Sequence, residues 1–237
     1  MRAPPAAPDP ARFASAGRDP RLKRSNWHWH VTRELQSAEE RLLAGLGLPP
    51  GARVLDYGCG NLPHRDVLAA GVELVGADLP GNPVATVEIE PDGRLPVEAA
   101  TFDAVISTQV LEHVGDPGLY LAESHRVLRP GGRIMLSTVG LQVYHPDPVD
   151  LWRWTCAGLQ RAVSDAGFEV ERFEGIMGLM ATGLQFVQNS LIFRLESAAA
   201  RRMICRVMQT LVALADRFER QESRDMNAMC FALVARR

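Results

Sequence analysis

The chain has 237 residues, 46% hydrophobic and 23% charged, with a net charge of −2. That length and composition predict a globular chain of one large domain or two small ones, most of which can bury a core. No apolar run approaches the about 20 residues of a membrane span, and the near-neutral charge supplies no field for a polyanion, which sets nucleic acid aside as a partner. The four cysteines, Cys59, Cys156, Cys205 and Cys230, have neither disulfide-framework nor metal spacing. They read as reduced thiols, and with no apolar signal segment at the N-terminus the expected location is cytoplasmic.

Residues 1–24 hold six basic and two acidic residues and five prolines, the make-up of a disordered basic tail. Residues 25–50 form an N-terminal helical cap. Asn26-Trp27-His28-Trp29-His30 leads into Val31, Leu35, Ala38, Leu42 and Leu46 at helical spacing, and Gly45, Gly47 and Pro49-Pro50-Gly51 stop it.

Residues 51–177 alternate short apolar runs with helical ones. Strands are predicted at Val54-Leu55, Glu73–Asp78, Val84–Ile89, Phe102–Ser107, Arg133–Thr138 and Phe168–Phe173. A short helix is expected over Arg65–Ala70. A second is capped by Asp116, with Pro117 at its first position and Gly131-Gly132 at its end. A third opens at Thr155 and closes at Gly167. This alternation predicts a mostly parallel sheet with helices on both faces, whose ligands bind at the carboxyl ends of the strands. Functional residues are therefore expected at Asp56–Gly60, Asp78, Ser107–His113 and Val139–Asp150. Residues 178–225 read as a helical insertion and 226–237 as a final strand. In the insertion, Leu184, Val187, Leu191 and Leu195 form one stripe, and Met203, Val207, Leu211, Leu214 and Phe218 another. Such stripes usually face a core or a second copy of the chain. A basic face at Arg201, Arg202 and Arg206 makes membrane-surface docking the lesser alternative.

Asp56-x-Gly58-x-Gly60 follows the first strand directly. The glycines allow a tight turn and close approach of a ligand. A dinucleotide fingerprint would place a third glycine where Pro63 stands, and Asp56 would repel a pyrophosphate but welcome a cationic end. Asp78 closes the second strand 18 residues after Gly60, a spacing suited to a carboxylate on ribose hydroxyls. The ligand so described has a ribose, a positive end and no phosphate.

These motifs resemble those of the class I S-adenosylmethionine-dependent methyltransferases. The resemblance rests on Val54-Leu55-Asp56-Tyr57-Gly58-Cys59-Gly60, Leu95-Pro96, Phe102-Asp103-Ala104-Val105, Val110-Leu111-Glu112-His113-Val114 and Arg126-Val127-Leu128-Arg129-Pro130-Gly131-Gly132, and covers about residues 50–175. It implies a Rossmann-like, seven-stranded, mostly parallel sheet with helices on both faces, an antiparallel last strand, and S-adenosyl-L-methionine as methyl donor. It also implies roles. Asp56, Gly58, Cys59 and Gly60 would hold the methionine part, Asp78 the ribose, and Leu79 would pack on adenine. Asp92, with Glu90 a near alternative, would approach the adenine amino group, and Gln109 would line the sulfonium side. Some relatives, such as ubiquinone-pathway O-methyltransferases, bind Mg²⁺ through a Glu-x-x-Glu-His cluster. Gln109 takes the place of the first acid here, so no metal is expected.

The segment Tyr144–Thr155 follows the fifth strand and is stiffened by Pro146 and Pro148. Trp29, Tyr144, Asp147 and Arg153 are the expected acceptor contacts, with Trp27, His28 and His30 as further roofing candidates. A hydroxyl acceptor needs a base, and imidazole titrates near neutrality. His145 is the expected base and His113 the second candidate, with Glu112 and His113 otherwise propping the loop. The predicted activity is methyl transfer to a small-molecule or glycan-type acceptor, at oxygen rather than nitrogen or carbon. A non-catalytic S-adenosylmethionine-binding partner and a nucleotide-dependent oxidoreductase are the alternatives.

Overall fold

The computed structural model describes residues 22–146 and 149–237, so nearly all of the basic tail, and Asp147, lie outside the described residues. Strands β1 (Arg53–Tyr57), β2 (Glu73–Asp78), β3 (Val87–Glu88), β4 (Phe102–Thr108), β5 (Leu128–Val139), β6 (Glu169–Ile176) and β7 (Cys230–Arg236) form one sheet in the order β3-β2-β1-β4-β5-β7-β6. Pairings among β1 to β5 are parallel, and β7 runs antiparallel to both β5 and β6. The helices are α1 (Trp29–Ala44), α2 (Pro117–Val127), α3 (Cys156–Asp165), α4 (Leu179–Ile192), α5 (Ala198–Asp216) and α6 (Gln221–Met226).

The strands are apolar on both sides because both sides are covered. Successive residues of a strand point to opposite faces. Leu55, Val105, Ile134 and Leu136 join Tyr120 and Leu121 of α2 and Leu159 and Val163 of α3 in one core. Val54, Ala104, Ile106 and Met135 join Val31, Ala38 and Leu42 of α1 in the other, with Ala181 of α4 and Val212 of α5. Asp116 and Thr155 act as the expected N-caps, accepting from Leu119 N–H at 3.0 Å and Gly158 N–H at 3.0 Å.

Four boundaries differ from expectation. Residues 65–70 make turns rather than a helix: Leu62 sits at φ 59°, Pro63 follows, and Arg65 and Val67 N–H bond back to Leu62 and His64. Helix α2 stops at Val127, before Gly131-Gly132, because Leu128 already pairs with Phe102; the register then slips, so that Ala104 faces Arg133. The third strand keeps only Val87–Glu88. Met226 closes α6, and the last strand starts at Cys230.

Strand order reverses between β1 and β4, which opens a crevice at their carboxyl ends. Because β7 is antiparallel to its neighbours, β6 ends at that same edge and β7 begins there. The α4–α5–α6 insertion thus leaves and returns on the ligand side of the sheet.

Candidate active site

The glycine turn is fastened to the next strand: Gly58 N–H and Cys59 N–H both donate to Ala77 O, at 2.8 and 3.0 Å. Gly58 lies at φ 82°, and a Cβ there would stand 2.5 Å from Val110 Cγ2. Only glycine fits both the left-handed backbone and the seat of the β4 exit loop on the turn. Asp78 ties the ends together. Its Oδ2 accepts from Gly60 N–H at 2.9 Å and Asn82 Nδ2 at 2.7 Å, and its Oδ1 from Leu79 N–H at 2.8 Å. Leu79 is half-buried beside it, and Cys59 is fully buried, its thiol pushed up by burial and the adjacent carboxylates.

Asp56 is the unusual member. It is 1% exposed, and neither carboxylate oxygen has a hydrogen-bond partner among the described residues. Burial first, then Asp78 and Glu39, push its carboxyl well above the usual range. Glu39 arrives from α1, is also buried, and accepts from Ser137 Oγ at 2.7 Å. A buried acid without a hydrogen bond is costly unless a ligand completes it. Three carboxylates around a glycine turn make a site for a ligand with a cationic end and hydroxyls, the donor set that S-adenosylmethionine carries. Glu39 is a site residue that sequence reasoning missed.

One cofactor-side expectation needs correcting. Asp92 does not turn inward: its side chain is 59% exposed, caps Arg94 N–H at 3.1 Å and pairs with the Arg94 guanidinium at 3.6 Å. The loop is pinned by Tyr57, whose hydroxyl donates to Gly93 O at 2.6 Å. Tyr57 is in turn held by Tyr120, stacked with ring centroids 4.1 Å apart and donating its hydroxyl to Tyr57 O at 2.9 Å.

Gln109 leaves β4 at φ 54° with N–H on Ser137 O and Nε2 on Ser137 Oγ at 3.2 Å. A 3₁₀ turn follows over Leu111–His113. Glu112 is fully buried; its Oε2 accepts from Thr138 Oγ1 at 2.8 Å, and burial pushes its carboxyl up to about 7. Its Oε1 lies 3.8 Å from His113 Nε2. His113 Nδ1 is 2.5 Å from Val149 O, and His145 Nδ1 is 3.1 Å from Val143 O. A carbonyl only accepts, so each Nδ1 carries the proton and each Nε2 the lone pair. The two rings meet edge to face, 5.3 Å between centroids. Glu112, His113 and His145 bring one ligand-type atom each within 4.8 Å of one another. One carboxylate and two imidazoles are donors a borderline cation such as zinc accepts.

The acceptor contacts are redistributed. Arg153 grips Asp150 at 2.5 and 2.6 Å and donates to the carbonyls of Gln142, Val143 and Trp152. Its guanidinium is consumed inside the loop, so it braces the loop instead of meeting an acceptor, and it holds the Asp150 carboxyl down at about 2. Asp150 then accepts from His145 N–H at 2.8 Å, which fixes the base candidate. Trp29 is buried between Arg24 and Arg33, whose guanidinium carbons lie 4.8 and 4.5 Å from its ring, away from the acceptor loop. Its neighbour His28, another roofing candidate, is half-buried; desolvation first, then the nearby His145, drive it down to about 4. Tyr144 is 73% exposed at the loop's edge.

Fold and site together define a class I S-adenosylmethionine-dependent methyltransferase. Residues 27–172 match the family model described as a methyltransferase domain, and the chain belongs to that family. The ubiquinone biosynthesis O-methyltransferase of Ruegeria pomeroyi is 36% identical over 124 residues, 46% of this chain and 50% of that protein. The chain spans about half the length of the curated relatives it matches. Of solved structures, an S-adenosylmethionine-dependent methyltransferase from Aquifex aeolicus has a TM-score of 0.55 at 14% identity, covering 96% of this chain and 98% of that one. Another from Mesorhizobium loti reaches 0.53 at 19% identity, covering 86% and 100%. At those identities the two share the fold.

Proposed function

We propose that this chain transfers the methyl group of S-adenosylmethionine to a hydroxyl oxygen of a small-molecule or glycan-type acceptor, with His145 as general base. The observation that carries the reading is the pair of imidazoles after β4 and β5, each with Nδ1 held on a backbone carbonyl and the two rings meeting edge to face at the acceptor loop. The similarity to proteins named O-methyltransferases supports oxygen as the target. The cofactor supplies a sulfonium methyl whose leaving group needs no further activation. Asp56, Gly58, Cys59, Gly60, Asp78 and Leu79 would hold it, and Gln109 borders its reactive end. The protein's work is to orient the acceptor, exclude water and take its proton. Asp150, pinned by Arg153, holds His145 through its backbone N–H. His28, kept neutral by burial, does not compete for the proton. His113 stands behind as the alternative base. The reading needs no divalent ion, since the sulfonium leaving group requires no Lewis acid, and Gln109 puts a neutral oxygen where a hard cation such as Mg²⁺ would want a carboxylate.

S-adenosylhomocysteine release with a panel of phenols, hydroxy acids and sugars tests the reaction. His145→Ala should lower turnover by about 10²–10⁴-fold, the usual worth of a positioned base, without changing S-adenosylhomocysteine affinity. The same loss in His113→Ala with normal turnover in His145→Ala would move the base. Tight cofactor binding with no turnover on any hydroxyl would refute the reading in favour of a binding partner.

A further inference from the structure

The helical insertion is inverted. On α4, Gln185, Gln188 and Asn189 are buried, while Phe186, Val187 and Leu191 are exposed. On α5, Gln209 and Asp216 are buried, while Met203, Val207, Leu211, Leu214 and Phe218 are exposed, Met203 at 64% and Phe218 at 77%. The buried polar groups satisfy one another. Gln185, Gln188 and Gln209 gather their amides on Trp27 O at 2.8, 2.8 and 3.0 Å, and Asp216 takes His30 Nε2 at 2.8 Å. Of the stripes expected to face a core or a second copy, the α5 stripe faces outward throughout, while on α4 Val187 and Leu191 are exposed and Leu184 packs against the core. Contiguous apolar surface of this kind marks a docking site.

Charge identifies the occupant. Residues 178–220 carry six arginines against three acids in a chain of net charge −2. All six arginines are exposed; of the acids only Glu196 is, since Asp216 is buried and Glu219 is half-buried, its carboxylate accepting from Met180 N–H. Arg202, Arg206 and Arg217 each directly precede a stripe residue, Met203, Val207 and Phe218, so a basic row runs alongside the apolar one. A cleft of about 320 Å³ adjoins it, lined by Arg24, Arg33, Thr210, Leu214, Arg217 and Arg224, with Glu34 and Asp216. His30 and Arg224 take Asp216, and Arg33 takes Glu34, so among the described residues neither acid of the cleft is left to Arg24 or Arg217. A second copy of this chain would bring the same arginines to this face across a two-fold axis, with almost no exposed acid to meet them. An anionic bilayer offers apolar depth to the stripe and phosphates to the row.

We infer that the α4–α5 hairpin is an interfacial docking surface for anionic lipid membranes, lying in the plane of the surface with its apolar stripe inserted and its arginines on the headgroups. No helix among the described residues is long and apolar enough to cross a membrane, so the contact is peripheral. The inference is independent of the acceptor's identity.

Co-sedimentation of the full chain with phosphatidylglycerol–phosphatidylcholine vesicles, against phosphatidylcholine alone, tests it. Binding should require phosphatidylglycerol and weaken with salt. Arg206→Gln with Arg217→Gln should lower partitioning by about thirtyfold, the factor two basic residues supply near an anionic surface. Leu211→Asp with Phe218→Asp should abolish it. Unchanged S-adenosylhomocysteine affinity would show these variants folded. Equal binding to both vesicle types, or none to either, overturns the inference. A concentration-dependent dimer dissociated by Leu211→Asp, without vesicle binding, gives the surface to a second copy.

Discussion

Asp56→Asn should raise the stability of the cofactor-free protein and weaken cofactor binding at the same time. In the wild type the carboxyl is buried without a hydrogen bond and faces Asp78 and Glu39, which together with burial raise it well above its ordinary 3.8. A raised acid binds its proton more tightly folded than unfolded. Its contribution is therefore fully present below about pH 4 and is lost as pH rises toward the folded value. The amide keeps the shape but has no charge to desolvate. The gain should appear as pH rises above the raised value, where the wild-type carboxyl would have to ionise: about 1.4 kcal/mol per pH unit, and about 2–4 °C of Tm per kcal/mol for a chain this size. The downward slope of stability with pH should flatten with it. S-adenosylhomocysteine affinity should fall by about 1.5–3 kcal/mol, the worth of a hydrogen bond to a charged group. Wild-type binding at a pH below the raised value should also release a proton, as the ligand's cationic end draws Asp56 into its ionised form. Differential scanning fluorimetry with and without ligand reads the first effect. Calorimetry in two buffers of different ionisation enthalpy reads the others. A variant that melts lower yet binds normally, with no proton release in the wild type, would refute the reasoning and leave Asp56 a structural carboxyl.

The other expectations follow from the acceptor side. Glu112, moved from 4.5 to about 7 by burial, should cost stability as pH rises through that window; Glu112→Gln, which keeps an oxygen for Thr138, should flatten the pH dependence of Tm between those values. Turnover, once an acceptor is found, should survive EDTA. Loss on chelation with recovery on adding zinc or Mg²⁺ would show that Glu112, His113 and His145 hold a cation.

What the sequence made legible follows from how local the signals were. The Asp56–Gly60 turn, Asp78, and the caps at Asp116 and Thr155 each sit next to the strand or helix they serve, and period and punctuation located them. Glu39 was invisible because a lone acid on an amphipathic helix reads as its solvent face; only tertiary packing sets it against Ser137. For Trp29, His28 and Arg153 the sequence left two readings open: alternation just before a helix does not reveal which residue the first turn aims inward, and an arginine three residues from Asp150 fits a brace and a substrate grip equally well until the carbonyls of Gln142 and Val143 claim it. The apolar stripes were correctly periodic, but periodicity gives a face, not its neighbour.

The antiparallel β7 has a further consequence. Chain that departs after β6 and re-enters at β7 does so at one edge, as the two ends of a socket. The residues proposed to hold the cofactor lie on α1, β1, β2 and the loops after β1, β2 and β4, all earlier in the chain than the insertion. A lineage could therefore exchange the segment plugged between β6 and β7 and change where the enzyme works without disturbing the cofactor grip. The fold separates the donor half of the reaction from the address at which it is carried out.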